Sequence, residues 1–225
     1  MPIVHLDDDG EPMVRENFVF ALFFKRPPEA VATQARRLLD RWLALVPPDA
    51  LTAFGARSLA DTLRELAGLL PFDSGYAGPG LMWCYEGTLT EAGEVIAPFA
   101  LRHPGYDVSN NDATASHLGT RSRGARWITL LGPGLVAELS GTDALRASLG
   151  EAIRIEPAGA GIAITAGPEP EIGDVNRKQD TPLLRQVAKA LEPVTFFGDR
   201  FLDVLLADDE DKRGRWERRL LDERG

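Results

Sequence analysis

Residues 154–192 constrain the fold more tightly than any other stretch of this chain, because their turn and cap chemistry leaves few alternatives. Ile153 and Ile155, then Ile162 and Ile164, alternate as the strands of a half-buried hairpin do, and Gly159-Ala160-Gly161 between them supply the turn. Further on, Thr181 is placed to cap a helix, and Pro182 to take its first position, where a missing N–H costs nothing. Leu183, Leu184, Val187, Ala188 and Leu191 then recur at helical spacing. The connection between hairpin and helix, residues 167–180, exceeds the roughly 2–6 residues such a loop usually takes. It carries Glu169, Glu171, Asp174, Arg177 and Lys178. A segment this long and polar is either a site or a built junction.

The rest of the chain reads as alternating strands and helices. Residues 18–24 are apolar on both faces and aromatic-rich, which predicts a strand covered on both sides. A helix is expected over 28–46, between Pro27-Pro28 and Pro47-Pro48, and a short strand over 51–55. A second helix is expected over 59–70, capped by Ser58 and burying Leu59, Leu63, Leu66 and Leu70. Residues 73–80 read as a loop leading into a strand over 81–86. Residues 96–103 read as another strand, which Pro98 would place at an edge. Residues 104–124 are the longest poorly patterned region and lead into a locally basic stretch with Arg121, Arg123 and Arg126. A strand over 126–131 and a helical pair follow, the second helix capped by Thr142; the last element crosses Asp208, Asp209, Glu210 and Asp211. The expected fold is a single α+β domain over 17–225, a mostly antiparallel sheet with helices packed against it, preceded by an acidic leader over 1–16.

Composition limits what such a domain does. The 225 residues carry a formal charge of −9, which argues against nucleic acid as a partner, since phosphate contacts require clustered Lys and Arg. No apolar run approaches the ~20 residues of a membrane span, and neither a basic n-region nor an apolar h-region opens the chain, so a cytoplasmic protein is expected. The single cysteine, Cys84, fits a reducing compartment. Catalytic templates fail in turn. There is no Walker lysine motif and no Gly-x-Ser-x-Gly elbow; Gly159-Ala160-Gly161 lacks the third glycine of a dinucleotide fingerprint; His5, His103 and His117 stand far apart. Asp174 and Asn176, with Glu169 and Glu171 upstream, have the oxygen chemistry of a hard-cation site but not the spacing of an EF-hand loop. Bonding to nearby backbone N–H groups accounts for them better. No catalytic residue, metal or cofactor is expected. An enzymatic reading would require Asp174, Asn176 and His117 to converge in one pocket.

The motif that runs Gly167-Pro168-Glu169-Pro170-Glu171-Ile172-Gly173-Asp174-Val175-Asn176-Arg177, followed by Thr181-Pro182-Leu183-Leu184-Arg185-Gln186-Val187-Ala188, resembles a bacterial family of type VI secretion immunity proteins. Arg121-Ser122-Arg123-Gly124 with Trp127 and a late tryptophan, Trp216, are similar in kind, so the likeness spans roughly 18–216. Leu184 stands where the family often has tyrosine, and the aromatic expected after Arg219 is replaced by leucine. The resemblance implies a non-enzymatic protein that binds and neutralises a cognate secreted effector toxin, a nuclease among the options, and protects the producing bacterium and its kin. An adaptor that binds the effector without inhibiting it is the alternative, and a homodimer stays open. Under this reading Gly173, Asp174, Asn176 and Pro182 are architectural. Toxin contacts are expected from Asp7, Asp8, Asp9, Tyr106, Asp107, Asp112, Asp208, Asp209 and Glu210, acidic or loop positions suited to a basic toxin face.

Overall fold

A computed structural model describes residues 4–6, 12–23, 55–83, 89–108, 111–198 and 210–222. The helix expected over 28–46, all but the last residue of the strand expected over 51–55, Cys84, Asp7 to Asp9, and Asp208 and Asp209 lie outside the described residues. Within them an open sheet of six strands runs in the order β1-β2-β3-β4-β6-β5: β1 Val4–Leu6, β2 Pro12–Phe23, β3 Ser74–Trp83, β4 Ile128–Leu131, β5 Ile153–Ala158 and β6 Gly161–Ala166. Every neighbouring pair is antiparallel. The fold is the α+β arrangement with helices packed on an antiparallel sheet. Part of the acidic leader is β1, hydrogen-bonded to β2 as an edge strand.

The period-2 geometry of a strand explains how β2 sits in the middle of two layers. Phe18, Phe20 and Leu22 face helix α1, Ala56–Gly68, and pack on Leu59, Leu63 and Ala67. Val19, Ala21 and Phe23 face the other way, onto Tyr76 and Leu118. Strand β6 repeats the division, with Ala163 on the α1 side and Ile162, Ile164 and Ala166 beneath helix α6, Pro182–Leu191. The apolar stripe of α6 is Leu184, Val187, Ala188 and Leu191, all buried. Burial of one such leucine is worth about 1.5–3 kcal/mol. Short helices α4, Pro133–Glu138, and α5, Thr142–Ser148, add Leu135 and Leu145 to the same layer.

Several local expectations are corrected. Residues 73–80 are not a loop but the first part of β3. Residues 96–102 are not a strand but the C-terminal half of helix α2, Leu89–Arg102, with Pro98 inside it. The poorly patterned region contains a helix, α3, Asn111–Leu118. Neither Ser58 nor Thr142 caps its helix, because α1 starts at Ala56 after Gly55 and α5 at Thr142 after Gly141, one turn or one residue earlier than the hydroxyls require. Helix α7, Glu210–Glu217, closes the described chain.

Candidate functional site

The polar crossing of residues 167–180 is a junction held by one carboxylate. Asp174 is 4% exposed. Its Oδ1 accepts from the backbone N–H of Asn176 at 3.0 Å and of Arg177 at 3.3 Å, closing a short 3-10 turn over Val175–Arg177. Arg102, the last residue of α2, donates to the same carboxylate through Nε (2.9 Å) and Nη2 (2.6 Å). This two-pronged geometry is the strong form of a charged hydrogen bond. It holds the Asp174 carboxyl far below its usual range, with backbone N–H groups adding to the effect and burial opposing it. Backbone bonds between Asp174 and Gln179, 3.0 and 2.9 Å, close the base of the turn.

The residues around Asp174 dock the junction on α2. His103 Nδ1 donates to the Gly173 carbonyl at 2.7 Å, and the Gly105 N–H donates to the Ile172 carbonyl at 2.9 Å. Gly173 has φ +70°, a left-handed conformation that disfavours other residues, and a Cβ there would meet Thr181 Cγ2 at 2.9 Å. Gly105 is needed for a different reason: its Cβ would lie 1.9 Å from the Glu171 carbonyl oxygen. Helix α6 starts with Pro182 in the first turn, but Thr181 makes no side-chain cap. Glu171 does that work from the crossing, its Oε2 accepting from the N–H groups of Leu183 (2.9 Å) and Leu184 (3.0 Å). Partial burial pushes the Glu171 carboxyl upward, against the pull of those two N–H groups. Thr181 itself is fully buried, and its hydroxyl oxygen has no hydrogen-bond partner.

A second charged network lies in the interior. Strand β4 pairs with β3 only as far as Ala77, and beyond it the free edge of β3 is taken by residues near Asp107. The Asp107 N–H donates to the Pro79 carbonyl and the Leu81 N–H to the Asp107 carbonyl, both at 2.9 Å. That places the Asp107 carboxylate, 1% exposed, against Tyr76 and Arg126. The Tyr76 hydroxyl donates to Oδ2 at 2.6 Å, Arg126 Nη2 donates to Oδ1 at 2.6 Å, and Arg123 Nη2 stands 3.8 Å from Oδ1. Burial and the Asp107 charge push the Tyr76 hydroxyl well above its ordinary range, so it stays a donor. Arg126 lies over the rings of Tyr76 and Trp216, 5.4 and 5.8 Å from their centroids.

The candidate residues are thus dispersed rather than gathered. Gly173, Asp174, the backbone of Asn176 and Pro182 meet at the junction. Tyr106 and Asp107, expected to face a partner, are 5% and 1% exposed, because Asp107 balances interior arginines and Tyr106 packs with Ile96 and Trp216. Asp112 lies on α3 and Glu210 opens α7. Sequence reading missed Arg102, Glu171 as a cap, and Tyr76. The available signal was the run of arginines at 121, 123 and 126, which needs a counter-charge nearby. Among the described residues no group of three His, Cys, Asp or Glu is placed to hold a metal ion. No helix described is long and apolar enough to cross a membrane.

Both networks tie groups of the protein to one another. Residues 19–220 match the family described as type VI immunity for VRR-NUC, TsiV, and the chain belongs to it. A solved Pseudomonas aeruginosa T6SS protein, PA0821, has a similar fold, with a TM-score of 0.63 and 23% identity over 78% of this chain. The chain spans about half, 51%, of that protein's length. No curated protein matches the chain at a significant level.

Proposed function

We propose that this protein binds a type VI effector of the VRR-NUC kind in the cytoplasm and neutralises it, protecting the cell that makes the toxin and its kin. The observation that carries the reading is the family match over residues 19–220. The charge of −9 supports a mechanism. A nuclease needs a basic face for its phosphate substrate, and an acidic protein is drawn to that face and competes with nucleic acid for it. The acidic runs Asp7 to Asp9 and Asp208 to Glu210, together with Asp112, supply the contact under this proposal. No cofactor, metal or nucleic acid takes part, and no chemistry is performed. The complex is 1:1, or 2:2 if the protein is a homodimer.

The test is co-expression with the neighbouring effector gene, followed by purification and a nuclease assay of the complex. A stable complex with its nuclease silenced supports neutralisation. A stable complex that still cuts DNA identifies an adaptor instead, and unrelieved killing with no complex removes both readings.

Asp208→Asn, Asp209→Asn and Glu210→Gln combined are expected to slow association with the effector about tenfold at low salt and to flatten its salt dependence, with little change in dissociation. Stopped-flow association at two ionic strengths checks this. A change confined to the dissociation rate would place these residues in the buried contact rather than at its rim.

A further inference from the structure

Strand β5 ends the sheet, with β6 on one side and no strand on the other among the described residues. The turn Gly159-Ala160 makes Ala158 and Gly161 a hydrogen-bonded pair, and bonded pairs alternate along an antiparallel ladder. Arg154, Glu156 and Ala158 therefore bond to β6, and the backbone groups of Ile153, Ile155 and Pro157 point outward. The Ala166 N–H, which donates to the Trp127 carbonyl at 2.8 Å, shows the same phase on the β4 side of β6. Most of the outward groups are already used. The Ile153 N–H donates to the Gly150 carbonyl at 3.0 Å, the Pro157 carbonyl accepts from Arg64 Nη1 at 3.2 Å, and Pro157 has no N–H. What the edge offers a neighbour is the N–H and C=O of Ile155, with the Ile153 carbonyl beside them.

The side chains of this edge divide by face. Ile153 is buried and Ile155 half-buried in the α6 layer. Arg154 and Glu156 lie on the α1 face, 3.3 Å apart, with Arg154 Nη1 also 4.0 Å from Asp61 Oδ1 of α1; the two side chains remain 29% and 33% exposed. This order of residues is complementary to itself. When two copies run antiparallel with Ile155 facing Ile155, each Ile155 exchanges both backbone bonds with the other, and Arg154 of either copy faces Glu156 of the other. A slip of two residues keeps outward groups matched but sets Arg154 against Arg154 or Glu156 against Glu156. A slip of one turns the bonding groups away from each other. One register alone satisfies both charge and backbone.

We propose that β5 is the interface of a homodimer, in which two copies of this chain join edge to edge about a two-fold axis at Ile155 and their sheets become one. The contact is isologous, the form that closes on itself instead of growing into a fibre. Pro157 and Arg64 blunt the end of the edge and confine reciprocal backbone bonding to a single residue pair. The interface is therefore small and belongs to the weak, exchanging class, with a dissociation constant on the order of 100 µM. The proposal stands independently of which effector the protein binds.

The test is sedimentation velocity of the full chain at low salt, from about 10 µM to about 1 mM, with amide exchange of Ile155 followed over the same range. The expected result is a mass rising from 24.5 kDa toward twice that value while exchange at Ile155 slows. Glu156→Lys sets like charges opposite each other and is expected to weaken the dimer at least about tenfold. Mixing Glu156→Lys with Arg154→Glu pairs opposite charges again, so the mixture should associate where each variant alone does not. A protein that stays monomeric throughout overturns the proposal. So does a dimer that Glu156→Lys leaves intact, or one in which the Ile155 amide exchanges as fast as in the monomer, because the interface then lies elsewhere. Slowing of Ile155 only on addition of the effector would give the edge to an effector strand and overturn it as well. Should Arg154→Glu fail to fold beside Asp61, Glu156→Lys and the exchange measurement on the native protein still decide.

Discussion

Asp107→Ala is expected to lower the free energy of unfolding by about 3–5 kcal/mol, the range seen when one partner of a buried ion pair is removed. Asp107 is 1% exposed and Arg126 3%, so the guanidinium left behind can neither reach water nor lose its charge easily. The Tyr76 hydroxyl loses the acceptor at 2.6 Å as well. The backbone contacts of residue 107 with Pro79 and Leu81 survive the substitution, so the loss isolates the side chain. Asp107→Asn keeps the shape and one acceptor but not the charge, and should show most of the same loss. Urea unfolding checks both, with the midpoint falling and the slope unchanged. A loss under about 1 kcal/mol for Asp107→Ala would mean that Arg126 finds another counter-charge. Replacing both partners, Asp107→Leu with Arg126→Met, should recover part of the stability: it removes the Arg126 charge along with the pair, while Arg123, 3.8 Å from the same carboxylate, keeps its own.

How much of this was legible in the sequence depended on whether local pattern and tertiary context agreed. Strand β2, the β5–β6 hairpin and helices α1 and α6 were legible because their apolar spacing follows the period of the element they form. Strand β3 was not, because Ser74-Gly75-Tyr76-Ala77-Gly78-Pro79-Gly80 has the composition of a loop. Its glycines answer to neighbours instead: a Cβ on Gly75 would lie 2.6 Å from the Ala21 carbonyl oxygen and 2.7 Å from Leu22 Cδ2. Close packing against β2 selects them, and no single-strand pattern reports it. In α2, residues 96–103 read as a strand with Pro98 at its edge, while burial of Ile96, Ala97 and Ala100 follows helical spacing. The Gly173-Asp174-Val175-Asn176 motif announced a turn, but not that Arg102, distant in sequence, would supply its counter-charge. Asp107 stands among the expected toxin contacts for the same reason, since its interior partners come from β3 and from the strand entry at Arg126.

Asp174→Ala carries the second large effect. The substitution removes both bonds from Arg102 and the two backbone bonds that close the Val175–Arg177 turn. The crossing would then be free to leave α2, and Glu171, one turn upstream, would lose the support that aims it at the start of α6. Thermal melting should show Tm lowered by roughly 5–10 °C. Arg102→Gln should do nearly the same, and the double variant should add little to either, because the two residues act as one unit. The effect depends on pH with a definite sign. The folded carboxyl titrates below the usual aspartate value of 3.8, so its contribution is fully present above that value and is lost as pH falls from there through the lowered one. Glu171 works in the opposite direction: its raised carboxyl favours the folded state as pH falls through the raised value. Well above both carboxyl ranges neither group titrates, so the stability gap between wild type and Asp174→Ala should be constant near neutrality and begin to close below about pH 4. The junction lies between a hairpin and a helix of the core, and the recognition surface proposed above is made of other residues. Effector affinity at a temperature where the variant is folded should therefore match wild type. A variant that melts normally but no longer binds the effector would assign Asp174 to recognition and leave the clamp with Arg102 as its support.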